Sequence, residues 1–543
     1  MDPVMTSEFT NPATVWPKLS ILWPRGSTSR DCPWLASRTM RDGTTSVADT
    51  VSVAIVGAGF AGLAMANELL RAGISDFVIL EKADRAGGVW RENTYPGAAC
   101  DVPSPYYSFS YAPKPDWARR YAGQAQIESY LTDIASRPDL RNRIRYGVDV
   151  TAARFEESEG LWVLSNADGG SVRARVFVPA TGQLSRPAWP DIAGRERFEG
   201  TSFHSAQWRH DVDLRGRRVA VIGAGASVIQ FVPRIRPQVA QLTLFQRSAP
   251  YILPKPDGEY RSIHHSAFRR LPLLQKLERG LWWTLGEVWT LGITGNRRIS
   301  AAVEAAARWQ LRRQVASAAL RQKLTPDYPI GCKRVLFAND YYPALAEPNV
   351  DVVTERIAEI TAGGTRTADG VEHVFDVIIY GTGFATQEFL GPMAVRGRAD
   401  RELGAAWAEG ARAHLGMTVP GFPNMFVMYG PNTNLGTGSI IYMLECQARY
   451  IRRAVEVLAR KPGGVLEIRA EVEQRYDDEI QRRLGGSAWT GCVSWYKSAS
   501  GRISSNWPGL VSEYSRRTAM FSLADFHASA VSRESGITEA TSS

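Results

Sequence analysis

Gly57, Gly59 and Gly62 stand directly behind the apolar run Val51–Val56 and ahead of a helical pattern carrying Leu63, Ala66, Leu69 and Leu70. Strand, glycine turn and helix in that order let backbone approach a diphosphate and aim a positive helix end at it. A second apolar run, Phe77–Leu80, ends in Glu81, a carboxylate placed to accept from a ribose hydroxyl. The arrangement recurs at Arg218–Ile222 with Gly223, Gly225, Ala226 and Ser227, but Val228 replaces the third glycine and predicts looser packing of helix on strand. Here the second strand, Gln241–Phe245, ends in Gln246, Arg247 and Ser248 and not in an acid. A carboxylate repels a ribose 2′-phosphate, whereas an arginine and a hydroxyl bind one. The first unit therefore suits a dinucleotide with a free ribose, FAD, and the second suits NADPH.

Two such sites imply hydride transfer from nicotinamide to flavin, and the open question is where the electrons go next. The five cysteines (Cys32, Cys100, Cys332, Cys446 and Cys492) are far apart and form no C-x-x-C. That spacing offers no dithiol for a disulfide reductase, no metal site, and a count that fits a reducing compartment. Dioxygen or another protein remains as acceptor. Composition is that of a folded globular chain: 543 residues, 44% hydrophobic and 22% charged. The length suits about three compact units. The net charge of +9 is compatible with nucleic acid, a membrane surface or a polyanionic cofactor, and does not choose among them.

The elements that must position these residues read as an α/β fold with two Rossmann-like dinucleotide-binding domains and a helical insertion. Val176–Ala180 and Val377–Tyr380 are apolar strands that each run into Thr-Gly (Thr181-Gly182 and Thr382-Gly383), hinges at which the chain can leave a first domain and re-enter it. The expected division is an FAD domain of residues 51–182 and 376–543, an NADPH domain of 183–254 and 328–375, and helices over 255–327. Trp282, Trp283 and Trp289 share a helical face there, read as packing into a core or lining a substrate channel in preference to a membrane role. A long amphipathic helix is expected over Ser439–Arg460, with loops elsewhere after residue 383. No apolar run is long enough to span a bilayer; the best, Leu281–Ile293, is interrupted by Glu287. The first 50 residues, with five basic and five acidic side chains and much Ser, Thr and Pro, read as a poorly ordered extension without a targeting signal. A cytoplasmic location follows, and oligomeric state has no sequence marker.

Phe198-x-Gly200-x-x-x-His204-x-x-x-Trp208 resembles the fingerprint of the class B flavoprotein monooxygenases, and Trp208 is similar to the Baeyer–Villiger branch. The resemblance covers most of residues 51–510. It includes Gly87-Gly-Val-Trp90, Tyr95-Pro-Gly97, Cys100-Asp101, Lys333-Arg334, both hinges, Gly421–Phe426, and Tyr429–Asn434, the last similar to aryl-ketone monooxygenases. The resemblance implies a flavin C4a-peroxide that attacks a ketone and rearranges to an ester or lactone. It makes Arg334 the active-site cation, Asp101 its partner, and Lys333 a 2′-phosphate contact. It also places Phe60, Val89, Trp90, Asp101, Tyr107 and Val150 on FAD, and gives His204 a coupling role on the link between domains. Cys100 and Cys332 are bystanders on this reading.

Two alternatives use the same sequence differently. A hydroperoxide-using relative would oxygenate amines or thioethers, and a non-oxygenating flavoprotein would relay electrons to a partner. Arg334 and Trp208 favour the ketone reaction over the first, and the full fingerprint disfavours the second.

Overall fold

The computed structural model describes residues 49–461, 463–498 and 500–530. The expected N-terminal extension lies outside them, except that its last two residues already belong to the first strand, Asp49–Val56. That strand is the parallel centre of a seven-stranded sheet, with Ile55 opposite Ile79 on one side and Ala54 opposite Phe177 on the other. Antiparallel strands Val150–Glu156 and Leu161–Asn166 extend the sheet, and Ala394–Arg396 closes its far edge. The central strands are apolar on both faces because both faces are covered, so they show no alternation. Helix Phe60–Arg71 lies on one face and is itself covered by helix Ile440–Ala459, whose ends match the amphipathic stretch seen in the sequence.

A second sheet runs in the order Val350–Val353, Gln241–Phe245, Arg218–Ile222, Val377–Tyr380, Thr201–His204, all parallel. Val377–Tyr380 thus belongs to the second sheet, so the chain returns to the first after Tyr380 and not at residue 376. Four helices, Ser262–Arg270, Pro272–Ile293, Arg297–Gln314 and Ala318–Lys323, fill the expected insertion. The stretch after residue 383 holds more than loops. Helices Ala470–Gly485 and Val511–Ala519 and a strand pair Gly464–Ile468 with Phe526–Ala530 enclose the first unit.

The loose packing expected at Val228 is absent. Val228 is fully buried, and a side chain at Gly381 would place its first carbon 2.2 Å from the Val228 methyl. The missing third glycine is compensated on the facing strand end, where Gly381 yields the space. Gly381→Ala should therefore cost about 1–3 kcal/mol of stability in urea unfolding. The same change in a Val228→Ala background should cost much less, and equal costs in both backgrounds would refute the exchange.

Candidate functional site

Both glycine turns open into one cavity of about 1580 Å³, which Asp101 and Arg334 also line. Pockets for a single small ligand measure roughly 300–1,000 Å³, so this one has room for more than one.

On the first unit, Gly57 adopts φ +108° while its N–H donates to the Leu80 carbonyl at 2.8 Å. A side chain at Gly57 would lie 2.6 Å from the Ala180 oxygen, and one at Gly62 would lie 1.9 Å from the Gly57 oxygen. Gly62 therefore seats the helix on the turn and does not itself line the cavity, whereas Gly57, Gly59 and Phe60 do. Glu81 is buried and held by three donors: the Ala58 N–H at 2.7 Å, the Ala83 N–H at 3.0 Å and Arg91 Nη1 at 3.1 Å. Its carboxylate is fixed before any ribose arrives. Val89, Trp90, Tyr107 and Val150 line the same cavity. Trp90 Nε1 donates to the Tyr107 oxygen at 3.2 Å, and Phe60 packs edge-on against the Tyr107 ring at 5.3 Å. An aromatic wall next to a side-chain-free turn and a held carboxylate fits the flavin dinucleotide.

On the second unit, Gly223 has φ +117°, and a side chain there would meet the Gly381 oxygen at 2.3 Å. Gly225, Ala226 and Ser227 continue from it along the cavity wall into helix Ala226–Ile235. Lys333 Nζ donates to Ser248 Oγ at 2.5 Å. Burial, and then the nearby Arg247 charge, lower the Lys333 pKa. Two cations and a hydroxyl gathered in this way suit a phosphate dianion. Gln246 lines the cavity as well; its side chain is buried, with the amide nitrogen donating to the Lys323 carbonyl at 2.9 Å and the amide oxygen left without a protein partner.

Arg334 and Asp101 meet across 233 residues. Nε donates to Oδ2 at 2.9 Å and Nη2 to Oδ1 at 2.9 Å, a bidentate fork. The Asp101 carboxylate raises the Arg334 pKa above its ordinary range, against the opposing effect of burial. About a third of the Arg334 side chain stays open to the cavity (31%). Sequence reasoning missed two tyrosines here. Tyr496 is fully buried with an unpartnered hydroxyl, and burial pushes its pKa up to about 12 while the Arg334 charge opposes this. Tyr429 donates to Asn434 Oδ1 at 2.8 Å and also feels the Arg334 charge. No spacing could have found Tyr496, which reaches the site from the C-terminal loops.

Phe198, Gly200, His204 and Trp208 do not line the cavity. Gly200 leaves room for the Asp376 carbonyl, 2.7 Å from where its side chain would start, and Trp208 packs on Phe203 and Phe231. His204 is fully buried opposite Tyr380, its Nδ1 accepts from the Ala206 N–H at 3.1 Å, and Trp189, a cavity residue, lies against it at 5.6 Å.

A further sequence expectation fails, that of the cysteines. Cys332 and Cys492, 160 residues apart, are joined by a disulfide with Cα atoms 6.0 Å apart. Their separation concealed the pair, so Cys332 is no bystander and the inference of a reducing compartment loses its support. Neither cysteine lines the cavity, so the pair is not placed to take electrons there. Its effect is mechanical: it ties the segment bearing Val493 and Trp495, both cavity residues, to the residue before Lys333 and Arg334. Cys100, buried and free, has its pKa raised by burial and accepts from the Val102 N–H.

Fold and site together define a flavoprotein oxidoreductase with a paired-dinucleotide architecture. A family model described as pyridine nucleotide-disulphide oxidoreductase matches residues 54–261. A Baeyer-Villiger monooxygenase of Pseudomonas aeruginosa is 43% identical over 89% of this chain and 92% of its own. One from Streptomyces coelicolor is 42% identical over 88% and 93%. Among solved structures, a cyclohexanone monooxygenase from Rhodococcus sp. Phi1 bound to NADP+ superposes with a TM-score of 0.80 at 27% identity, covering 89% of this chain and 100% of that one. An oxidized steroid monooxygenase bound to NADP gives 0.78 at 29% identity, covering 88% and 99%. The chain belongs to the Baeyer–Villiger monooxygenases.

Burial lowers the His204 pKa from 6.5 to about 4. The unfolded chain therefore binds a proton that the folded chain refuses between those values, and stability falls as pH drops through that window. The loss attributable to His204 reaches roughly 3 kcal/mol below pH 4. Buried His414 is lowered to about 4 as well and adds to the slope. His204→Gln should flatten the urea-midpoint profile between pH 6.5 and 4 by one proton's worth; an unchanged slope would show that His204 is not buried neutral.

Proposed function

We propose that Arg334, held by Asp101, is the fixed cation of an FAD-containing, NADPH- and dioxygen-dependent monooxygenase that converts a ketone to an ester or lactone. One oxygen atom enters beside the carbonyl, the other leaves as water, and NADPH is oxidised to NADP+. Bound FAD and NADPH supply the redox chemistry, namely hydride from the nicotinamide and activation of dioxygen. The observation that carries the assignment is the forked Arg334–Asp101 pair in the cavity shared by both glycine turns.

Arginine stays protonated at any working pH, so Arg334 offers positive charge to oxygen atoms that become anionic during transfer and requires no proton movement of its own. Asp101 occupies one edge of the guanidinium and leaves the rest turned to the cavity, which fixes its orientation and moderates its field. Trp90 and Tyr107 wall the flavin side, and Glu81 holds the ribose. Arg247, Ser248 and Lys333 select the 2′-phosphate. Leu435, Ile440, Leu444 and Trp495 give the remaining wall an apolar character, suited to an apolar ketone. His204, behind Trp189, transmits the position of the second sheet to the cavity. A cation fixed at this place favours attack by an anionic oxygen on a carbonyl, whereas oxidation of amines or thioethers requires a protonated oxidant. The FAD unit comprises the first sheet and the C-terminal helices, and the NADPH unit the second sheet.

With purified enzyme, NADPH and a panel of aryl and cyclic ketones, mass spectrometry should find ester or lactone. Arg334→Ala should still let NADPH bleach the flavin but lower ester formation about 100-fold or more. Surviving ester formation would remove Arg334 from the chemistry. Arg247→Ala should raise KM for NADPH about tenfold while leaving that for NADH nearly unchanged. Equal effects on the two would overturn the 2′-phosphate assignment.

A further inference from the structure

Helix Pro272–Ile293 is amphipathic in an unusual sense. Its tryptophans, Trp282, Trp283 and Trp289, are half-buried against the main core. The opposite face carries Leu274, Leu277, Leu281, Leu285, Val288 and Leu291, each between 41% and 61% exposed. These recur every three or four residues, so they form one continuous row about 25 Å long. Soluble monomers rarely leave so long an apolar row bare.

The exposed charges on the helix and its immediate sequence flanks are all basic, and Asp116, near Arg269, is paired with Lys114 at 3.1 Å. The helix has two acidic residues, and both turn inward. Glu278 accepts from the Tyr260 hydroxyl at 2.6 Å, and Glu287 accepts from the Val511 N–H at 2.7 Å. Arg269 and Arg270 are exposed just before the helix, Lys276 within it, and Arg297 and Arg298 just after it. We propose that this face is a docking surface for an anionic lipid bilayer, lying in the headgroup plane with its leucines inserted and its flanking cations on lipid phosphates. Among the described residues no helix is long and apolar enough to cross a membrane, so the attachment is peripheral.

A second copy of the chain is the competing occupant, and the charges argue against it. Antiparallel pairing of two such helices sets Arg269 and Arg270 against Arg297 and Arg298 of the copy, with no carboxylate from either helix between them. Parallel pairing sets like ends together. An anionic surface meets both ends at once. The location adds a consequence for supply: Gly286, on the inner face, lies against Gly438, which lines the cavity. A docked helix therefore holds the cavity wall beside the phase in which apolar ketones accumulate. The surface is independent of the assigned reaction, because it is read out by binding alone.

The test uses the full-length, FAD-loaded protein and sucrose-loaded vesicles of phosphatidylcholine, either alone or with one quarter phosphatidylglycerol. Co-sedimentation should be at least tenfold stronger with phosphatidylglycerol, should fall with added salt, and should be lost in Leu277→Glu/Leu281→Glu. Flavin content and NADPH oxidation report that this variant is folded. Absence of binding to the anionic vesicles overturns the proposal, as does binding that the double variant retains, which would place the contact elsewhere in the chain. Light scattering supplies the other arm: a dimer that the double variant converts to monomer assigns the face to a second copy and also overturns it.

Discussion

A guanidinium fixed against a carboxylate in a cavity wall is costly to assemble, because each ion surrenders much of its water and the pair must replace it. Asp101 and Arg334 accept that cost across 233 residues of chain, one from the loops of the first unit and one from the segment that follows the helical insertion. The two sheets, the hinges and the C-terminal loops can be understood as what brings these side chains into register. Tyr429 and Tyr496, both within the field of Arg334, bury their rings close by while about a third of the guanidinium side chain stays open to the cavity. Since Asp101 covers only part of the guanidinium, the pair orients a cation without cancelling it.

The two glycine turns reach the same geometry by different routes. The first spends its third glycine, Gly62, on seating the helix over Gly57. The second puts Val228 in that place and relocates the vacancy to Gly381 on the neighbouring strand. Because Gly381 follows Tyr380, which pairs with His204 in the second sheet, the compensation lies beside the fingerprint histidine. Helix packing in the second unit and the position of the fingerprint histidine are thus set by one strand end.

What the sequence discloses depends on how local the physics is. Turns, strand ends and the helical insertion are governed by neighbouring residues, so Gly57, Glu81, Gly223 and Arg247 could be placed from spacing alone. The Arg334–Asp101 pair was legible only through a family resemblance, since nothing in 233 intervening residues encodes contact. Tyr496 and the Cys332–Cys492 bond were not legible at all. Each depends on how loops from distant parts of the chain meet, and loops carry no periodicity from which to read a face. Val377–Tyr380 was recognisable as a strand, but its sheet was not, because a buried parallel strand looks the same in either.

The Cys332–Cys492 bond also imposes an order of events. Cys492 leaves the ribosome 160 residues after Cys332, and by then both sheets and the insertion have been synthesised. The covalent closure joining the C-terminal loops to the segment beside the guanidinium is therefore possible only once residue 492 has been made. A chain interrupted before residue 492 carries a thiol next to Lys333 and lacks both Trp495 and Tyr496.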